Sequence, residues 1–359
     1  MPDLLSVHLY TDHVHPATNN PPLMPASSWD APKLKEATFW VCDSHSYALQ
    51  VAITPSEGQL EAFLGSVVNT QVFSTPAFQN LRYLFAYFEP TASHVLITGC
   101  MLPQLQHLEI NTEKARKVAR ILDFLTTPKL DTLEMTWEMH GRNEGWEDEI
   151  LLSIAELQER SGCSLEVLRG PAPIFSGSNA VALAQRLLAI RELHIEICDL
   201  TPEQDQRGLS VLRRTDVFPR VSALHFVFVA DPYHDLDTLD SFIGIADLVE
   251  SRRSSSEEDG LAVLKEVSLS LEQFGQDGDG ERPAPRYLST NLEPLQRILI
   301  LGESGLVLHG RVVGETWRSS FMRVDRWCGG LTRIEHRCAK FGYSDWLLEN
   351  TFLVFDHGA

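Results

Sequence analysis

The sequence predicts an α/β fold, an irregular solenoid in which a curved parallel sheet carries helices on its convex side. Three observations lead there. A short apolar phrase returns along the chain, the end of each phrase alternates apolar and variable residues, and the stretches between phrases change to a helical period. Of 359 residues, 43% are hydrophobic and 22% are charged, so the chain can bury a core through most of its length. Residues 1–359 are expected to form one repeat array.

The phrase is an apolar residue, two variable ones, an apolar residue, one variable, and another apolar residue. Its clearest copies are LQHLEI at 105–110, LDTLEM at 130–135 and IRELHI at 190–195. Weaker copies are LKEATF at 34–39, VSALHF at 221–226, LKEVSL at 264–269 and LQRILI at 295–300, with partial ones opening at Leu4, Leu81, Leu165 and Leu331. Steps between copies run from 24 residues (Leu81 to Leu105) to 47 (Leu34 to Leu81), too uneven for a regular array. Leucine predominates in the apolar positions, and the architecture is leucine-rich-repeat-like.

Each phrase predicts a short strand with one buried face, because its last four residues have period two. Helices are predicted between phrases. After Thr112, the residues Ala115, Val118, Leu122 and Leu125 share a face, and Pro128 marks the end. Residues 149–160 carry Ile150, Ile154 and Leu157 on one side and stop at Gly162. Ser178 can cap a helix bearing Ala180, Ala184 and Leu187, and Thr201-Pro202-Glu203-Gln204 has capping-box spacing ahead of Leu209 and Leu212. A last apolar stripe comprises Leu239, Phe242, Ala246 and Val249. Residues 251–260 and 275–285, rich in Ser, Gly, Asp and Pro, are expected to be loop insertions.

Strand-helix alternation also fits a doubly wound sheet. The variable positions favour the solenoid, because they keep Glu, His or Thr where a sheet covered on both faces would be apolar; only 224–230 and 298–301 are apolar on both sides.

Charge restricts the partners. There are 49 Asp and Glu against 30 Lys and Arg, a formal charge of −19, which repels phosphate backbones and anionic lipid surfaces. Neither nucleic acid nor membrane is expected as a partner. No apolar run approaches a membrane span and the start lacks the pattern of a signal peptide, so a cytoplasmic or nuclear location is expected. The six scattered cysteines are expected to be reduced.

Motifs for chemistry are weak. Cys42-x-x-His45 and His13-x-His15 have ligand spacing but lack the paired clusters of a structural zinc site. Gly302-Glu303-Ser304-Gly305 has Leu306 where a nucleophile elbow needs glycine, so a tight loop after a strand is expected there. GQDGDG at 275–280 lacks the ligand order of a calcium loop. Glu147 and Glu149 fit a helix start, and Trp137, Trp146, Trp317, Trp327 and Trp346 are read as core. No catalytic, cofactor-binding or metal-ligating residue is assigned, and no cofactor is expected.

What remains is the concave face. In register it would show His107, Glu109, Thr132, Glu134, Glu192, His194, Glu196 and His225, an acidic, histidine-bearing strip suited to a basic protein partner. A solvated face with no partner is the plainer alternative.

The run PKLDTLEM at 128–135, preceded by ILDFL at 121–125 and followed by a longer helix into CSLEVL at 163–168, resembles the repeat region of F-box proteins with degenerate leucine-rich repeats, abundant in mushroom-forming fungi. The resemblance spans roughly residues 78–340. It implies a substrate-recognition role within a cullin ubiquitin ligase, the repeats holding the substrate. Contact with a Skp-type adaptor would require an F-box upstream of Met1, since residues 2–9 already have the pattern of a repeat strand. Two readings stand beside it: an α/β enzyme whose site is assembled from residues distant in sequence, and a structural scaffold.

Overall fold

The computed structural model describes residues 6–11, 35–41, 60–67, 73, 78–88, 99–112, 114–137, 146–198, 202–230, 239–254, 262–273, 293–303, 305–313, 334–337 and 350–354. The expected insertion at 275–285, most of that at 251–260, the residues Cys42, His45, His13, His15 and Thr201, and Trp317, Trp327 and Trp346 lie outside these. The chain divides into two compact units, Met1–Glu166 and Val167–Ala359.

The first unit is built on strands β1 (Ser6–Thr11), β2 (Glu36–Val41), β3 (Ala62–Val67) and β4 (Tyr83–Phe88), the two-residue β5 (Cys100–Met101), and β6 (His107–Thr112). Helix α1 (Ala115–Phe124), the short β7 (Leu125–Thr126), β8 (Thr132–Trp137) and helix α2 (Glu147–Ser161) complete it. Apart from the small β5–β7 pair, every strand lies parallel to its predecessor, in chain order β1-β2-β3-β4-β6-β8.

The second unit repeats the scheme with β9 (Val167–Pro171), a 3-10 turn over Ala172–Phe175, α3 (Ala180–Ala184), β10 (Glu192–Cys198), α4 (Pro202–Leu212) and β11 (Ala223–Ala230). It continues with α5 (Leu239–Arg253), β12 (Glu266–Gln273), α6 (Glu293–Glu303) and β13 (Val307–Val313). Strands β9 to β13 are parallel and in chain order; β14 (Ile334–Arg337) and β15 (Asn350–Val354) add antiparallel pairs in the order β13-β15-β14. The fold is therefore α/β with a large parallel sheet and helices. Within each unit the parallel strand order never reverses, so the switch-point crevice of a doubly wound sheet is absent from the described strands.

The register explains why the phrase recurs. Its third residue pairs with the third residue of the next phrase: Ser6, Glu36, Ala62, Tyr83, His107 and Thr132 in one unit, and Val167, Glu192, Ala223, Glu266 and Val307 in the other. The second residue's carbonyl accepts two neighbouring N–H groups, as when Gln106 O takes Asp131 N and Thr132 N at 3.0 Å each, and Arg191 O takes Ser222 N at 2.8 Å and Ala223 N at 3.2 Å. In the phrases at 105–110 and 130–135 the first, fourth and sixth residues form buried rows, Leu105, Leu108 and Ile110 beside Leu130, Leu133 and Met135, while the third and fifth stay half-exposed. The helices cover the buried rows, α1 beside α2, and α4 between the 3-10 turn and α5, with α6 next.

The helices end where carbonyls can be satisfied. Gly162 closes α2 at φ 64, the left-handed conformation that costs glycine nothing. Near the end of α2, Arg160 donates to Leu122 O at 2.7 Å and to Leu125 O at 2.9 and 3.0 Å, clamping the end of α1. Arg252, on the last turn of α5 and only 4% exposed, does the same for α4: it donates to Leu212 O at 2.7 and 2.9 Å, Val217 O at 2.5 Å and Phe218 O at 3.2 Å. Burial lowers its pKa to about 10, so it is still a cation at neutral pH.

Several expectations are corrected. Residues 295–300 were expected as a strand but lie in α6, because Leu-x-x-Ile also satisfies helical spacing and Pro294 suits a first turn; Ile298 is buried while Ile300 is 62% exposed. The turn at Gly305 (φ 90) therefore follows a helix, not a strand. Of the expected 251–260 loop, Ser251, Arg252 and Arg253 belong to α5 instead. Helix α3 spans five residues, and its N-cap position is Asn179, which makes no side-chain cap bond, rather than Ser178. Strand β3 was missed because Gly65 occupies the sixth position of its phrase, and β13 because Gly305 and Gly310 occupy the first and sixth.

Candidate functional site: an open sheet face with two Glu–His clusters

All eight residues of the predicted strip lie on the half-buried face of the sheet, in two groups, one in each unit.

In the first unit β6 and β8 bring His107, Glu109, Thr132 and Glu134 together, with Glu109 directly opposite Glu134 in the register. His107 Nε2 lies 3.4 Å from Glu134 Oε1. Tyr83, one strand earlier, donates its hydroxyl to Glu109 Oε2 at 3.1 Å and packs its ring on His107 with centroids 4.6 Å apart. Thr132 donates to the neighbouring Asp131 carboxylate at 2.8 Å. Desolvation holds the His107 pKa below its ordinary value of 6.5, the charges of Glu134 and Asp131 opposing the shift only in part.

In the second unit the fifth-position row runs Arg169, His194, His225, Ser268, His309 across β9 to β13. Glu192 precedes His194 by two residues on β10 and so shares its face. Its Oε1 is 2.6 Å from His194 Nε2 and 3.3 Å from His225 Nε2. The two imidazoles stack, centroids 4.3 Å apart and inclined by 30°. His225 Nδ1 is 2.6 Å from Ser268 Oγ. Hydrogen bonds from the two histidines hold the Glu192 carboxyl far below the usual carboxylate range. Glu196 is 8% exposed and pairs with Arg169 at 3.1 Å, and His309 Nε2 lies 3.5 Å from Glu266 Oε1.

The structure thus gathers His107, Glu109 and Glu134 into one cluster and Glu192, His194 and His225 into another. In each, one ligand atom per residue lies within 4.8 Å of the others. Glu196 belongs instead to an ion pair, and Thr132 to a bond within its own strand start. Tyr83, Arg169, Ser268, Glu266 and His309 were missed. The signal for all but His309 was present, since the partial phrases at Leu81 and Leu165 and the copy at 264–269 put Tyr83 and Glu266 at position three and Arg169 and Ser268 at position five. Other expectations resolve as packing: Glu147, Asp148 and Glu149 fill the first turn of α2, and Trp137 meets Trp146 edge to face at 5.0 Å.

No protein-family model matches the chain, and no curated protein matches it in sequence. Among the described residues, no helix is long and apolar enough to cross a membrane.

Proposed function

We propose that the chain is a non-catalytic, leucine-rich-repeat-like solenoid that binds a basic protein segment on its open sheet face. Its role would be substrate recognition, as in the repeats of F-box ubiquitin-ligase receptors, in the cytoplasm or nucleus. The observation that carries the reading is the pairing of Glu109 with Glu134, two carboxylates directly opposite each other on neighbouring strands of a half-exposed face. Two carboxylates at matching positions on neighbouring strands repel each other. A Lys- or Arg-bearing partner would relieve the repulsion and gain attraction from both acids. In-register rows with few irregularities supply the broad surface that repeat arrays use for such contacts.

The test is an array of Lys/Arg-rich, neutral and Asp/Glu-rich peptides probed with the purified chain. Retention should favour the basic peptides, fall as NaCl rises from about 50 to about 500 mM, and drop at least about tenfold for the Glu134→Lys/Glu192→Lys double variant. Equal retention on neutral peptides, or an unaffected double variant, rejects the reading.

A further inference from the structure

The second unit's cluster has the donors and the convergence of a transition-metal site. Glu192 Oε1 is approached by the Nε2 atoms of both His194 and His225, at 2.6 and 3.3 Å, and the three ligand atoms lie within 4.8 Å of one another. Ligands around a tetrahedral zinc stand about 3.4 Å apart, given zinc–nitrogen and zinc–oxygen bonds of about 2.0–2.2 Å. The two spacings to Glu192 lie within about 1 Å of that.

The backbone holds the set. His194 and His225 are register partners on adjacent parallel strands, and Glu192 shares the face of β10 two residues earlier. Ser268, the register partner of His225 on β12, sits 2.6 Å from its Nδ1; a hydroxyl accepting that N–H leaves the Nε2 lone pair free for a metal. The nearest basic neighbour in the row, Arg169, is paired with Glu196. The side chains of Glu192, His194 and His225 are 37%, 28% and 16% exposed, which leaves the site accessible from solvent.

Two imidazoles with one carboxylate favour zinc and its first-row neighbours over calcium or magnesium, which prefer oxygen. We propose that Glu192, His194 and His225 form a three-ligand site for a divalent transition metal, zinc being the first candidate, with water completing the coordination. Metal binding competes with protons for imidazole and carboxylate ligands, so affinity falls with falling pH.

The full-length chain, stripped with a chelator, is titrated with zinc chloride by calorimetry. Wild type should bind one more equivalent than His194→Asn/His225→Asn, and Ser268→Ala should bind that equivalent about 10- to 100-fold more weakly. His107→Asn/Glu134→Gln should retain it. All variants lie on a partly exposed face, and their metal-free circular dichroism should match wild type. As a readout independent of any variant, wild type loaded with cobalt(II) should show the visible absorption of a four- or five-coordinate nitrogen/oxygen site. Zinc stoichiometry and affinity unchanged in the double histidine variant, or no zinc uptake by wild type, overturns the proposal. Neither result bears on peptide binding by the open face, which is measured without metal.

Discussion

At the scale of single residues, two buried or half-buried groups make opposite demands on their surroundings. Arg252 is a cation carried into the protein, and it persists there because three backbone carbonyls surround its guanidinium. Replacing it with Met keeps much of the stem but leaves those carbonyls without their donor. We expect Arg252→Met to lower stability by about 2–4 kcal/mol in urea unfolding, since each buried group left unsatisfied costs about 1–3 kcal/mol. A loss under about 0.5 kcal/mol, the usual scale for surface changes, would show that water replaces the arginine. His107 illustrates the converse, a base kept neutral by burial. Its folded pKa lies below 6.5, so above that pH both folded and unfolded states are neutral and its contribution is fully present. As pH falls below 6.5 the unfolded chain takes up a proton that the folded chain resists, and stability is lost until the folded pKa is passed. The Tm of wild type should therefore drop more steeply between pH 7 and pH 5 than that of His107→Gln, and parallel curves would refute the assignment.

At the scale of elements, helix packing rests on close backbone approach and on side chains reaching from one helix to the next. A Cβ added at Gly208 of α4 would stand 2.2 Å from the carbonyl oxygen of Ala172 in the 3-10 turn, so the two backbones can meet only over a glycine. Alanine would gain about 1 kcal/mol in helix propensity, yet neither backbone can yield cheaply. Gly208→Ala should therefore be a net destabilisation of about 1–3 kcal/mol, read from the shift in thermal midpoint. A stabilised variant would mean that the turn moves freely. The same region shows helices laced by charge: Arg213, just past the end of α4, and Arg297 of α6 both reach Asp247 of α5, at 3.0 and 2.7 Å, and Arg297 also binds Glu250 at 2.7 Å. Elements were legible to different degrees. The helices over Ala115–Phe124 and Glu147–Ser161 followed from apolar spacing and from Gly162, because both signals are local. LQRILI at 295–300 lies in a helix because six residues with apolar positions at one, four and six satisfy a helix as well as a strand, and the phrase of the next strand, which begins at Val307, has Gly305 in its first position.

At the scale of the whole molecule, the excess of acids over bases sets a general electrostatic cost. A formal charge of −19 repels itself in any compact state, and salt screens it. Raising NaCl from about 10 to about 200 mM should therefore raise the Tm of the intact chain; a fall would mean that ion pairs such as Arg297–Glu250 outweigh the repulsion. The sequence by itself determined the α/β alternation and most strand positions, because each phrase carries its own two-residue period. It determined the strip from His107 to His225 for the same reason. Only the tertiary structure decided which residues of that strip meet. Strand register, set by ladder hydrogen bonds between segments whose paired residues here lie 25 to 43 positions apart, puts His225 between His194 and Ser268, and Glu109 against Glu134. No local pattern records which strand is whose neighbour. The distance of 3.3 Å from Glu192 to His225 is a property of two strands, and it exists only once both are laid side by side.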